Sequence, residues 1–256
     1  MLDRQQGETV RSVERALAII ELLGEHQALG LEQLHCLTHL PKPTLSRLLL
    51  TLQQQGWAYR GLADRRYRLC ARRLFGDAQL RARRELVERA APSLLELSER
   101  TGLVADLSSF DGERLQIVES AIPAVLRKRY PANCQLVGQY ASLFHSAMGK
   151  ACLGQLEAEQ VERLAASAQV GAAQSAATIC QARREGVGLR TEGHWEYPVK
   201  LPFLIGAMAL PVRVGGRLLG SMALHWPQDL QAPASVRQAQ LAQLAGSVRQ
   251  VQLALA

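Results

Sequence analysis

The chain has 256 residues, 48% of them hydrophobic and 21% charged, which supplies a packed core and excludes global disorder. Aromatic residues make up only 5%, an argument against a protein built on base-stacking platforms, and no apolar run approaches the roughly 18 residues of a membrane span. The net charge is +7 and unevenly spread: residues 1–84 carry 14 Lys and Arg against 8 Asp and Glu, whereas residues 85–256 carry 16 against 15.

A basic module on a near-neutral body points to a reader of polyanions that carries a second, separate function. The amino-terminal segment lacks a hydrophobic secretory core, and the five cysteines (36, 70, 134, 152, 180) contain no C-x-x-C pair. The expected compartment is therefore the cytoplasm, with the thiols idle.

The spacing predicts a first helix in SVERALAIIELLGE, with Val13, Leu17, Ile20 and Leu23 on one face, Ser12 as its N-cap and Gly24 near its end. A short second helix follows in LEQLHCLTHL, with Leu31, Leu34 and Leu37 inward. Pro41 interrupts, and a third helix runs from Lys42 to Gln55 with Pro43 tolerated in its first turn. Leu45, Leu48, Leu49 and Leu52 form its stripe, and Gly56 ends it in the left-handed conformation. Two short strands at 57–60 and 67–69, joined by the basic loop GLADRR, complete the plan of a winged helix-turn-helix.

Residues 72–84 read as an arginine-rich helical connector, and a stripe of Leu86, Ala90, Leu94 and Leu97 ends at Thr101-Gly102. LVADLSSF and ERLQIVES flank Asp111-Gly112, which signals a hairpin with a type I′ turn; Gly215-Gly216 signals a second hairpin. Helices are expected at 145–154, 157–168 and 175–186, and a final one carries Leu241, Leu244, Val248, Val251 and Leu255. The expected class is α+β: a winged helix-turn-helix (1–71), a linker helix (72–85) and an α+β domain with an antiparallel sheet (86–256).

These segments resemble the IclR family (isocitrate lyase regulator type). The resemblance is carried by SVERALAIIELL, LPKPTLSRLLLTLQQQGW, the wing ending in RRYRL, HSAMGKACL and IGAMALPVRVGGRLLGSMAL, in order over residues 10–250. It implies a DNA-binding regulator of transcription that binds palindromic operator DNA, assembles as a homodimer or homotetramer and responds to a small effector by way of the linker. RNA polymerase is a further expected partner; a membrane is not. In the third helix, Lys42, Thr44, Ser46, Arg47 and Gln53 face away from the leucine stripe. Arg47 is the candidate for a bidentate base contact, with Lys42, Thr44 and Ser46 on phosphates and Arg65 and Arg66 reaching from the wing tip. Pro43 departs from the family pattern, which commonly has a small hydroxyl residue there.

By position, the resemblance places Ala147, Met148, Ala207, Ala223 and His225 in the effector pocket, with Trp195 and Glu196 as its cover. Those residues suggest a large, apolar pocket, and GVGLRTEGHW resembles the subset that controls aromatic-acid catabolism, so the expected effector is an aromatic organic acid. Arg127, Arg129 and Lys200 are the candidate carboxylate anchors. Two other classes stand beside this reading. A winged helix also serves as a non-catalytic protein-interaction module, and His145-Ser146 with His194 raises an enzyme in the second domain. No G-x-S-x-G or other catalytic motif surrounds those residues, so no catalytic residue and no cofactor is assigned. His35 and His39, at i and i+4 beside Cys36, fall short of a four-ligand zinc set, and no metal ligand is assigned.

Overall fold

A computed structural model describes residues 10–70, 78–130, 136–198, 201–230 and 234–256. The chain divides into two compact units, Met1–Arg84 and Glu85–Ala256. No helix among the described residues is long and apolar enough to cross a membrane.

The first unit holds α1 (Arg11–His26), α2 (Leu31–Thr38), α3 (Lys42–Gln54), β1 (Ala58–Arg60) and β2 (Tyr67–Leu69). Its core is Ile19, Leu23, Leu34, Leu45 and Leu49, all essentially inaccessible, joined by Leu52, Ala58 and Tyr67. β1 pairs antiparallel with β2, and Leu29 exchanges two backbone hydrogen bonds with Tyr67, which ties the wing to the loop after α1. Gly56 adopts φ +62°, and the N–H of Trp57 returns to Leu52 O at 2.7 Å, so α3 turns sharply into the wing.

Several inward positions differ from expectation. Val13 and Leu17 are 53% and 52% exposed, and Leu37 is exposed too; α1 buries the expected Leu23 together with Ile19. An apolar helix offers adjacent stripes at three-four spacing, and the neighbouring elements select one of them. Val10 rather than Ser12 precedes α1, without a side-chain cap.

The division between units falls within α4 (Ala78–Thr101), which runs through both the expected connector and the stripe that follows it; residues 71–77 lie outside the described set. Leu86, Ala90, Leu94 and Leu97 are buried as their spacing predicts. The second unit continues with β3 (Val104–Phe110), β4 (Leu115–Ala121), β5 (Tyr140–Ala141), α5 (Ala147–Leu153), α6 (Ala158–Ser167), α7 (Ala172–Glu185), β6 (Gly188–Leu189), β7 (Ile205–Val214), β8 (Arg217–Pro227) and α8 (Ala234–Leu255). Six strands form one antiparallel sheet in the order β5-β4-β3-β8-β7-β6.

The two hairpins close differently. Gly215 and Gly216 both take positive φ (+56° and +81°) between the paired Val214 and Arg217, the geometry a type I′ turn demands. At the other hairpin the expected type I′ turn is absent. Phe110 pairs with Leu115, so the loop has four residues, and Asp111 Oδ1 accepts from the N–H groups of Glu113 and Arg114. The Asp side chain builds its own local turn, leaving only Gly112 at positive φ.

Candidate functional site

In the first unit, α3 presents Ser46, Arg47, Leu50, Thr51 and Gln54 on one open stripe. Thr44 and Gln53, expected on the same face, are half-buried at its margins. Lys42 is exposed and forms a 2.6 Å ion pair with Glu32 of α2. Leu50, 55% exposed in the middle of this stripe, went unnoticed in the sequence because it sits in a run of three leucines; the helical spacing from Ser46 and Arg47 is the signal that finds it. An apolar side chain there suits a thymine methyl group, and an arginine beside it suits a guanine edge.

The wing tip is built around a charge pair. Arg68 Nη1 donates to Asp64 Oδ1 at 2.9 Å, and Nη2 donates to Oδ2. Burial alone would raise the Asp64 pKa, but hydrogen bonds from the Arg68 side chain and the Arg66 N–H outweigh it and hold the carboxyl below its ordinary value. Arg65 takes φ +56°, and its carbonyl accepts from Arg60 Nε at 2.8 Å, so Arg60, Arg65 and Arg66 are exposed around a fixed turn.

His35 and His39 do not share a helical face. His35 Nδ1–H donates to Leu40 O at 2.7 Å, while His39 lies beyond α2 in the left-handed conformation. Among the described residues, no group of three or more His, Cys, Asp and Glu side chains is arranged to hold a metal ion.

In the second unit, α5 lies against β6, β7 and β8, and its residues Ala147 and Met148 share a core with Ala209 and Ala223. Ser146 caps the helix: its Oγ accepts from Gly149 N–H at 2.8 Å and donates to Ser142 O at 2.6 Å, which accounts for this serine without nucleophilic chemistry. The close seating needs glycine, since a Cβ on Gly188 of β6 would stand 2.0 Å from Ala147 O.

Between α5 and the sheet is a small void of about 20 Å³, room for a single water molecule. The structure brings Ala147, Met148, Trp195, Ala207, Ala223 and His225 together around it. Glu196 is not in its wall. Glu196 accepts instead from Arg190 Nη2 and from the Ser142 N–H, and Arg190 also donates to His194 O at 3.1 and 2.7 Å. That ion pair, 7% and 12% exposed, fastens the 190–197 loop and lays Trp195 over the void; the Arg190 guanidinium stands 5.1 Å from the Trp195 ring centre. His145 stacks on His194 at 4.0 Å beside the same loop, where burial first, and then the charges of His194 and Lys150, lower its pKa.

The large apolar pocket read from the sequence is corrected in both size and polarity. Asp106, Ser146, Arg190 and Tyr197 also line the void, and none of them was anticipated. In register, Asp106 of β3 stands opposite Ala223 of β8, and His225 stands opposite Val104 and Ala207, so Asp106 and His225 meet on one face. Asp106, His225 and Tyr197 are 2%, 5% and 7% exposed; His225 Nε2 stands 3.0 Å from Asp106 Oδ2, and the Tyr197 side chain hydrogen-bonds Glu196. Asp106 Oδ1 makes no hydrogen bond among the described residues, which costs about 1–3 kcal/mol. The Tyr197 hydroxyl is driven well above its ordinary pKa by burial and then by the nearby charges of Glu196 and Asp106, so it remains protonated. A charged residue in the otherwise apolar start of β3, VADL, is the sequence signal that singles out Asp106. The proposed carboxylate anchors are elsewhere: Arg127 Nε donates to Ile122 O and Arg129 pairs with Asp229, neither of them lining the void, while Lys200 lies outside the described residues.

Residues 12–61 match the IclR helix-turn-helix domain, and residues 78–197 match the bacterial transcriptional regulator IclR C-terminal domain. The HTH-type transcriptional regulator TsaQ1/TsaQ2 of Comamonas testosteroni is 30% identical over 145 residues, 57% of this chain and 50% of its own length. XynR of Escherichia coli (strain K12), also an HTH-type transcriptional regulator, is 29% identical over 138 residues, 51% of this chain and 55% of its own. The match thus spans about half the length of these curated relatives. The fold is shared with a crystal structure of an IclR transcriptional regulator from Silicibacter sp. TM1040, at a TM-score of 0.57 and 24% identity over 94% of each chain. With both domains matched in order on one chain, this protein belongs to the IclR family of bacterial transcriptional regulators.

Proposed function

We propose that this chain is a ligand-responsive, DNA-binding regulator of transcription that acts as a homodimer or homotetramer on a palindromic operator. The observation that carries the reading is the open stripe of α3, with Arg47 and Ser46 accessible next to a wing whose arginines are held outward by the Asp64–Arg68 pair. Arg47 reads a base edge; Lys42, Thr44, Ser46 and Gln53 set register on phosphates; Arg65 and Arg66 take flanking phosphates or the minor groove. In the second unit, the space under Trp195 is the effector site, for a small organic acid with an aromatic ring that enters when the loop fastened by the Arg190–Glu196 pair moves aside. Its occupation changes operator affinity or polymerase contact through a differential affinity for two arrangements of the protein.

Selection of fragments from the encoding genome on the purified chain, at two salt concentrations, tests this reading. A shared inverted repeat is expected, with affinity falling steeply in salt as counterions are released. Arg47→Ala should cost about 1–3 kcal/mol of operator preference, roughly 5- to 150-fold, without changing ligand binding. Unchanged preference in that variant overturns the assignment. A second reading, a protein-interaction module, is favoured by the exposed Leu50; it predicts weak, sequence-blind DNA binding that vanishes at the higher salt.

A further inference from the structure

Helix α3 contains no acidic residue, and its exposed side chains Pro43, Ser46, Arg47, Leu50, Thr51 and Gln54 fall within one stripe. At about 100° per residue, Pro43, Leu50 and Gln54 lie along the middle of that stripe, with Ser46 to one side and Arg47 and Thr51 to the other. Leu50 is 55% exposed there, whereas Leu45, Leu49 and Leu52 of the same helix are 0%, 0% and 6% exposed. The hydrophobic core of the unit closes without Leu50. Beside it, the Thr51 hydroxyl donates to Arg47 O at 3.0 Å, so its proton is spent inside the helix.

We propose that Leu50 selects the operator sequence by packing against the C5-methyl group of a thymine. The inference rests on the reading of α3 as the helix that enters the major groove, and it names a base which that helix selects. A helix seated in the groove turns the middle of its outward stripe to the base edges and the margins to the phosphates. Of the groups that base pairs present there, only the thymine methyl is apolar. The rest are hydrogen-bond donors and acceptors, and a leucine laid on one of them would strip it of water and leave it unpaired. Leu50 and Arg47 are three residues apart, about 4.5 Å along the helix axis, and base pairs stack about 3.4 Å apart. The thymine therefore lies within about two base pairs of the guanine that Arg47 contacts. A protein partner suits this surface less well. Ser46, Arg47, Thr51 and Gln54 surround Leu50 with polar groups, whereas docking to protein uses a contiguous apolar patch larger than a few hundred Å².

The test uses the full chain and the inverted repeat recovered by genomic selection, made as a fluorescent duplex in which each thymine is replaced in turn by deoxyuridine. That replacement removes one methyl group and leaves every hydrogen-bonding atom in place. Made symmetrically in both half-sites, it should weaken binding at one thymine position by about fourfold per half-site, the worth of one buried methyl-sized group. In Leu50→Ala the same replacement should cost less than about twofold over the whole duplex, because the contact is already lost. Leu50→Met, apolar and of similar size, should keep the sensitivity. Both variants should melt with the unaltered chain, since Leu50 lies outside the core. Equal binding of every deoxyuridine duplex by the unaltered chain overturns the proposal, as does a penalty that Leu50→Ala leaves unchanged. Either result leaves the regulator reading standing, because the operator is still bound. Recovery of no shared repeat overturns both.

Discussion

Asp64 and Arg68 meet at two points inside the wing, their side chains 6% and 11% exposed, and they lie directly over Gly61. A Cβ on Gly61 would stand 2.5 Å from Arg68 Nη1 and 2.6 Å from Asp64 Oδ1, so glycine there is what admits the pair. The exposed wing arginines Arg60, Arg65 and Arg66 thus depend on one that does not project: Arg68 is spent on holding the turn.

Asp64→Asn should lower stability by about 2 kcal/mol at neutral pH, the range for hydrogen bonds to charged groups. Because the Asp64 pKa is lowered in the folded chain, its stabilisation is fully present above the ordinary value of 3.8 and is lost as pH falls through the folded value. Melting temperatures of the two proteins should therefore converge between neutrality and strong acid. A gap that stays constant down to pH 2 contradicts the pair's role.

Glu196→Gln removes one partner of a buried pair and leaves the Arg190 charge nearly sealed from water. Urea unfolding should report a loss of about 3–5 kcal/mol. The double replacement with methionine at 190 and 196 should recover part of it, since neither charge is then stranded. A loss below about 1 kcal/mol would place the loop's anchorage elsewhere, given the values typical of exposed pairs.

Gly188→Ala isolates packing from backbone strain, because Gly188 does not occupy the positive-φ region. The added methyl would meet Ala147 O at 2.0 Å and Ala151 N at 2.5 Å, both backbone atoms that cannot swing aside. We expect a destabilisation of about 1–3 kcal/mol or more, read as a fall in melting temperature with the α5 core disturbed.

Cysteine labelling separates buried from open thiols. Cys152 is fully enclosed and burial pushes its pKa up to about 12, whereas Cys36 and Cys180 are exposed. Peptide mapping after brief alkylation at pH 8 should find Cys36 and Cys180 modified and Cys152 untouched until denaturant is added. Early modification of Cys152 would mean that α5 opens readily in the native state.

Much of the first unit was legible because its cues are local. Pro43 near the start of α3, Gly56 at φ +62° after it and the short strands on either side of GLADRR each act within a few residues. The same holds for Gly215-Gly216, where both residues must have positive φ and both are glycine. Locality also misled. Asp111-Gly112 has the dipeptide of a two-residue turn, yet the Asp carboxylate captured two N–H groups and lengthened the loop. Val13 and Leu17 fit a helical stripe as well as Ile19 does, and only the packing of the unit chose between them.

The sequence by itself determined the order of the helices, the wing and the two hairpins and the basic bias of the first third, because each follows from spacing, turn chemistry and charge along the chain. The meeting of α5 with the sheet was implied only by the family resemblance, and the short strands β5 and β6 left no such cue. Only the tertiary structure decided that Asp106, Arg190, Tyr197 and His225 share one wall. Their meeting depends on the strand order β4-β3-β8-β7 and on its register, which sets Asp106 opposite Ala223 and His225 opposite Val104. A shift of one residue between β3 and β8 would put Asp106 and His225 on opposite faces, Arg190 and Tyr197 arrive from the loop after β6, and pairing across more than a hundred residues leaves no periodic trace in the chain.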